Sequence, residues 1–92
     1  MTYRLVVPEY FLRRSRKFLR RHPDLKPKFA EIMESLRCDP FRSSLRLHPL
    51  HGNLNGCHAV SLTHSYRITL TLKINEQEII LLDICNHDEI YG

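Results

Sequence analysis

The spacing of the apolar residues between positions 66 and 85 is the feature of this sequence that most restricts the folds it can adopt. From Tyr66 to Ile74, apolar residues alternate with polar ones, and a period of two predicts a strand with one buried face. After the tight turn INEQ, the segment EIILLDIC is apolar at nearly every position, which predicts a strand that is covered on both sides. Two such strands in succession predict the middle of a sheet, so other elements must supply the covering layer.

Two helices upstream of these strands are predicted to supply that layer. Between Glu9 and Arg21 the apolar residues recur at helical spacing and leave the arginines on the opposite side. A second apolar stripe runs from Leu25 to Leu36 at intervals of three and four. Because only the short segment HPD separates them, we predict an antiparallel helix hairpin.

The elements together predict an α+β fold in a single domain that spans residues 1–92. An N-terminal strand precedes the antiparallel helix hairpin, which packs on one face of a twisted antiparallel sheet of about four strands. Residues 39–56, rich in proline, glycine and asparagine, form a long loop, a type that often carries function. The odd-numbered face of residues 66–74 is expected to be polar and open. The predicted strands are 2–7, 57–63, 66–74 and 77–85.

Positive charge is concentrated in the first helix. The chain has a formal net charge of +4 and a pI near 9.2, and six of its fourteen basic residues lie between Arg13 and Arg21. Such a cluster suits a polyanion such as RNA, whose condensed counterions are released on binding. A solvated helix face has the same pattern, so charge alone leaves both interpretations open.

Several classes of protein are disfavoured by the sequence. No apolar run approaches the length of about 20 residues that spans a membrane, and the N-terminus lacks a secretory signal, so we expect a cytoplasmic protein without a membrane partner. The three cysteines form no C-x-x-C pair, and the histidines between positions 48 and 64 form no pair at metal-binding spacing. We therefore predict no metal site and no cofactor.

Four residues have the chemistry that cleaves RNA. The reaction needs a base for the 2′-hydroxyl proton, a cation for the phosphorane and an acid for the leaving 5′-oxygen. His48, Arg67 and His87 supply those groups, and Tyr91 adds a ring for stacking on a base. Three of them have a structural alternative when they are considered alone: a surface histidine at 48, a strand cap at 87 and an aromatic that closes the sheet at 91. Arg67 is stronger evidence, because an arginine with no acid on its own strand often binds an anionic ligand.

The order of these motifs resembles the RelE/ParE superfamily of type II toxin–antitoxin toxins, in particular RelE-like and YafQ-like mRNA interferases. The resemblance rests on HPLHGNLNG, YRITL and the ending HDEIYG, and it covers essentially the whole chain. It implies a ribosome-dependent endoribonuclease that cuts mRNA and is inhibited by a cognate antitoxin. It also implies His48, Arg67, His87 and Tyr91 as catalytic residues. The residues implied to contact ribosomal RNA are Arg13, Arg16, Lys17 and Arg20.

The sequence departs from the YafQ-like pattern at two positions. The pattern has a further histidine and an acid where this chain has Ser61 and Ser65, and a serine cannot act as a general base near neutral pH. His58 and His64 lie close in sequence, but by strand parity we expect both to face the wrong way. A ParE-like inhibitor of DNA gyrase and a degenerate toxin that only binds its antitoxin therefore remain as alternatives. The coincidence of four catalytic residue types favours the nuclease.

Overall fold

The computed structural model describes residues 2–88, and it contains two helices and one sheet of five strands. Three 3-10 turns accompany these elements, at Pro23–Leu25, Ser43–Leu45 and Gly52–Leu54. The helices are α1 (Glu9–Arg21) and α2 (Lys26–Cys38). The strands are β1 (Arg4–Val6), β2 (His48–Pro49), β3 (His58–Ser61), β4 (Tyr66–Lys73) and β5 (Glu78–Asn86).

The two helices confirm the prediction for residues 9–37. Pro8 is the N-cap of α1, where its missing N–H would have no partner within the helix. Pro27 lies in the first turn of α2 for the same reason. The helices meet through Phe11 and Phe29, whose ring centroids are 6.3 Å apart and nearly parallel.

The sheet has the strand order β1-β5-β4-β3-β2, which confirms the α+β architecture and adds two features that the pattern did not predict. β1 pairs with β5 in parallel, so the sheet is mixed, and the expectation of a wholly antiparallel sheet is wrong for this pair. The chain returns to β1 only after both helices and three further strands. β2 is formed within residues 39–56 by pairing His48 with Ala59 and Pro49 with His58.

An irregularity in the ladder explains why EIILLDIC is apolar at both parities. Leu70 pairs with Leu81, whereas its neighbour Thr69 pairs with Asp83. At this point β5 therefore has one more residue than β4. A β-bulge of this kind reverses which residues face the core. The core side therefore receives Ile79 and Leu81 before the bulge and Ile84 after it.

The helices cover the even-numbered face of β4 and close the core. Phe11 of α1 and Leu36 of α2 are fully buried against this face. The other face is less open than expected, because Thr69 is only 4% exposed and its hydroxyl donates to the Asp83 carbonyl over 3.4 Å. Within residues 2–88, neither helix has the length and apolarity that crossing a bilayer requires. The remaining buried core residues are Ile32, Leu45, Val60, Leu62, Ile68, Leu70, Ile79, Leu81 and Ile84.

Candidate functional site

Arg67 lies near the start of β4, where it supports the turn between β3 and β4. Its Nη1 donates to the carbonyl oxygens of Thr63 at 2.7 Å, His64 at 3.1 Å and Tyr66 at 3.1 Å. These bonds hold one amino group of the guanidinium against the turn. A guanidinium has five N–H donors in a planar fork, so Nε and Nη2 are the groups that can form a bidentate contact with a phosphate.

Two adjoining pockets surround this turn. The first, of about 200 Å³, brings a second arginine, Arg46, beside Arg67. The second, of about 400 Å³, contains His87. His64 lines both pockets, so the turn places a histidine between Arg67 and His87. The first pocket is lined by Arg46, Ser61, Thr63, His64 and Arg67, and the second by His64, Ser65, Asn86, His87 and Asp88.

His64 corrects the expectation from strand parity. β3 ends at Ser61, and residues 62–65 form the turn, so the side chain of His64 does not alternate with those of the strand. His64 is exposed, and it lines the Arg67 pocket together with Ser61, the position where the YafQ-like pattern has its further histidine. His58 differs, because it pairs with Leu70 on the core side of the sheet. The polar turn THS was the feature of the sequence that could have identified His64.

His87 lies directly after β5, at the same end of the sheet as Arg67. Its backbone N–H donates to the carbonyl of Ser65 over 2.8 Å, which fixes the chain beside the β3–β4 turn. The imidazole is half-exposed, and its Nδ1 is 3.8 Å from a carboxylate oxygen of Asp88. The Asp88 side chain is 98% exposed, so it is directed to solvent. The two strands thus place Arg67 and His87 around one turn.

His48 lies farther from the turn, on the edge strand β2. It pairs with Ala59, which pairs with Thr69, so the register places His48 on the same sheet face as Arg67. Strand spacing and rise put the Cα atoms of His48 and Arg67 about 12 Å apart. Nδ1 of His48 is 2.8 Å from the carbonyl oxygen of Arg46. A carbonyl only accepts, so Nδ1 carries the proton and Nε2 is the basic nitrogen of the neutral ring.

Arg46 is a second residue near Arg67 that the sequence pattern did not predict. Its backbone is left-handed, with φ of 54° and ψ of 44°. A residue other than glycine rarely adopts this conformation, and such strain is concentrated at functional sites. Arg46 contributes a cation to the Arg67 pocket and the carbonyl that orients His48.

Tyr91 belongs to the site predicted from the sequence but lies outside the residues that the structure describes. The stacking role expected for it therefore stays a prediction. Across residues 2–88, no three or more side chains of histidine, cysteine, aspartate or glutamate are grouped so that they could hold a metal ion.

The basic residues of α1 fall into two groups. Five are exposed, in agreement with the predicted basic outer face: Arg13, Arg16, Lys17, Arg20 and Arg21. Arg14 differs, because its Nε donates to Asp83 Oδ1 at 2.7 Å and its Nη2 donates to the carbonyl of Ile84 at 3.2 Å. The hydrogen bond and the charge of Asp83 raise the pKa of Arg14 above its ordinary value. Arg14 thus ties α1 to β5 across the helix–sheet interface.

Solved structures of bacterial toxins share this architecture. YafQ from E. coli superposes with a TM-score of 0.77 at 15% sequence identity, over 98% of this chain and 99% of YafQ. A YoeB/ParE toxin from Agrobacterium tumefaciens superposes with a TM-score of 0.70 at 18% identity, over 91% of this chain and 98% of the toxin. The fold is that of a RelE/ParE-like type II toxin.

This fold is also present in the structure of a toxin–antitoxin complex. In the DinJ–YafQ toxin–antitoxin complex of E. coli, the matching chain superposes with a TM-score of 0.77 at 15% identity, and the match covers 100% of both chains. No family model matches the sequence, and no curated protein matches it either. At these identities the likeness establishes the RelE/ParE-like fold, and the activity has to be argued from the side chains.

Proposed function

We propose that this protein is the toxin of a type II toxin–antitoxin system and cleaves mRNA on the ribosome. The observation that carries the proposal is the placement of Arg67 and His87 around one turn, with His48 on the same sheet face as Arg67, in a fold shared with YafQ. A cation and two imidazoles are the groups that phosphodiester transesterification requires. A module that only bound another protein would not need them.

In the proposed reaction the 2′-hydroxyl of the substrate is the nucleophile. Nε2 of His48 takes the 2′-hydroxyl proton, and the 2′-oxygen forms a bond to phosphorus. Arg67 stabilises the charge on the phosphorane oxygens. The bond from phosphorus to the 5′-oxygen then breaks, and His87 gives its proton to that oxygen. The products are a 2′,3′-cyclic phosphate and a 5′-hydroxyl.

The structure supports the roles of His48 and Arg67 through the hydrogen-bond partners of these two side chains. The Nδ1 proton of His48 is directed to the Arg46 carbonyl, so the lone pair of the neutral ring is on Nε2, as a base requires. Arg67 is held by three backbone carbonyls, so little conformational entropy is lost when its remaining N–H groups bind a phosphate. Such preorganisation is the main source of electrostatic catalysis.

The partners follow from the same proposal. The exposed arginines of α1 supply a positive surface for ribosomal RNA, and binding through such a surface weakens as salt rises. The matching chain of the DinJ–YafQ complex is a toxin bound by its antitoxin, and we propose an antitoxin partner for this chain as well.

The experiment measures mRNA cleavage on programmed ribosomes together with thermal unfolding. We expect His87→Ala, Arg67→Ala and His48→Ala each to lower the cleavage rate by about 10²- to 10⁴-fold, the usual cost of one such group. The same holds for Tyr91→Ala if its ring stacks on the substrate. His51→Ala is the matched control, because His51 is an exposed histidine only three positions from His48, and this variant should cleave normally.

Two results would contradict the proposal. In the first, the variants lose cleavage only in proportion to their loss of folded protein, which would make these residues structural. In the second, the wild-type protein leaves mRNA intact and inhibits DNA supercoiling by gyrase, which would assign the ParE-like activity instead.

A further inference from the structure

A third pocket lies beside the two that surround the β3–β4 turn, and shared residues connect all three. Its volume is about 260 Å³, and it is bounded by α1 on one side and by β4 and β5 on the other. Asn86 lines both this pocket and the one that contains His87. His64 connects the latter to the pocket of Arg67. The three pockets therefore follow one another around the β3–β4 turn, from α1 past His87 to Arg67, and together they are called the groove.

The α1 side of this third pocket carries a stripe of cations. Arg14, Lys17 and Arg21 are spaced by three and four residues, so they share one side of the helix. Arg14 is neutralised by Asp83. Within residues 2–88, neither Lys17 nor Arg21 forms an ion pair. Two cations without an ion-pair partner among residues 2–88 thus line a pocket that shares Asn86 with the pocket of His87.

Aromatic rings from α1 and β4, together with the imidazole of His22, also line the third pocket. The rings of Phe18 and Tyr66 meet edge to face with centroids 4.9 Å apart. His22 packs against both, at 4.5 Å from Phe18 and 5.1 Å from Tyr66. Its Nε2 is also 3.4 Å from the Tyr66 hydroxyl. Cations beside an aromatic platform are the combination by which proteins hold single-stranded nucleic acid.

We infer that the third pocket is a second RNA-binding site, which holds a nucleotide of the substrate strand that flanks the cleaved bond. Lys17 and Arg21 bind its phosphate, and Tyr66 with His22 provides the surface for its base. The volume lies just below the range of pockets that enclose a whole small ligand, which suits one unit of a strand that continues along the groove. This inference rests on the proposed RNA substrate, and it deepens that proposal by naming the path of the strand.

The first test measures the affinity of the full chain for a short single-stranded RNA with 2′-O-methyl riboses, which cannot be cleaved. The double variant Lys17→Gln/Arg21→Gln should bind at least about ten-fold more weakly than wild type. The logarithm of the association constant falls linearly with the logarithm of the salt concentration, and the magnitude of this slope should decrease by about 0.7 for each phosphate that the variant no longer neutralises. The matched control is Arg42→Gln/Lys73→Gln, which removes the same two charges at exposed positions that do not line the groove. It should keep most of the affinity.

The second test concerns the aromatic rings of the third pocket. Tyr66→Phe keeps the ring and should bind RNA within about two-fold of wild type, whereas Tyr66→Leu should bind about five-fold or more weakly, because base–aromatic stacking is removed. Thermal melts test whether each variant is folded. Tyr66→Phe keeps the ring beside Phe18, so it is the control for the packing defect that leucine introduces there.

Three results would overturn the inference: equal losses for the two double variants, failure of the wild-type protein to bind single-stranded RNA, or a preference for duplex DNA of the same length. A protein that binds RNA through Lys17 and Arg21 but does not cleave mRNA on ribosomes would refute the proposed function and leave the second site standing. Normal cleavage, with no effect of replacing Lys17 and Arg21 on RNA affinity, would refute the second RNA-binding site and leave the proposed function standing.

Discussion

Replacing Arg14 with alanine tests whether the basic cluster of α1 contains one structural residue among surface cations. Arg14 forms a 2.7 Å ion pair with Asp83, and the two side chains are 38% and 23% exposed. An exposed ion pair contributes about 0.2 to 1 kcal/mol, and partial exposure places this one near the upper end. The hydrogen bond to the Ile84 carbonyl adds roughly 0.5 to 1.5 kcal/mol. We therefore expect a loss of about 1 to 2 kcal/mol in the free energy of unfolding.

The assay is thermal and urea unfolding of Arg14→Ala beside Arg13→Ala. A domain of this size loses roughly 4 to 8 °C in Tm per kcal/mol, so Arg14→Ala should melt about 5 to 15 °C below wild type. Arg13 is exposed, and its replacement should change the free energy of unfolding by at most about 0.5 kcal/mol.

A double-mutant cycle with Asp83→Asn isolates the coupling between the two side chains. The reasoning would be refuted if Arg14→Ala and Arg13→Ala melted together, or if the cycle gave no coupling energy. Either result would mean that Arg14 is a surface cation like Arg13 and does not stabilise the fold.

Three further predictions concern RNA association, pH dependence and the core. Replacing the outward cations of α1, which are Arg13, Arg16, Lys17 and Arg20, by glutamate should abolish cosedimentation with ribosomes at low salt. Unchanged sedimentation would mean that the cluster is only a solvated helix face. Arg37 lowers the pKa of Glu34 through a hydrogen bond, so the stabilisation is present above about pH 4.5 and is lost as pH falls through the lowered value. The Tm difference between wild type and Glu34→Gln should therefore vanish in acid, and a constant difference would contradict the assignment. Phe11→Ala should cost about 3 to 5 kcal/mol in urea unfolding because Phe11 is fully buried, and a loss below about 1 kcal/mol would contradict the packing.

The sequence predicted those parts of the fold that a repeating pattern encodes. Helical spacing located α1 and α2, and alternation located β4, because each period follows from the geometry of one element. The partner of β1 has no such local pattern, since parallel pairing with β5 depends on how the whole chain closes. β2 has only two residues, which is too short for any period, and the bulge in β5 depends on its pairing with β4.

The same distinction applies to the site. Arg67 and His87 were predictable because both lie at the ends of strands, where register places them at the same edge of the sheet. His64 lies in a turn, and Arg46 follows a 3-10 turn with a left-handed backbone, so neither obeys strand parity. Parity applied to a turn residue therefore gave the wrong prediction for His64.

The most direct test of the proposed reaction is the cleavage, on programmed ribosomes, of an mRNA with a single 2′-deoxynucleotide immediately 5′ of the scissile phosphate. We expect the wild-type protein to cut the all-ribose message to a 2′,3′-cyclic phosphate and to leave the deoxy message intact at that position, because the nucleophile is missing. Cleavage of both messages at equal rates would contradict 2′-hydroxyl attack, and with it the roles proposed for His48, Arg67 and His87.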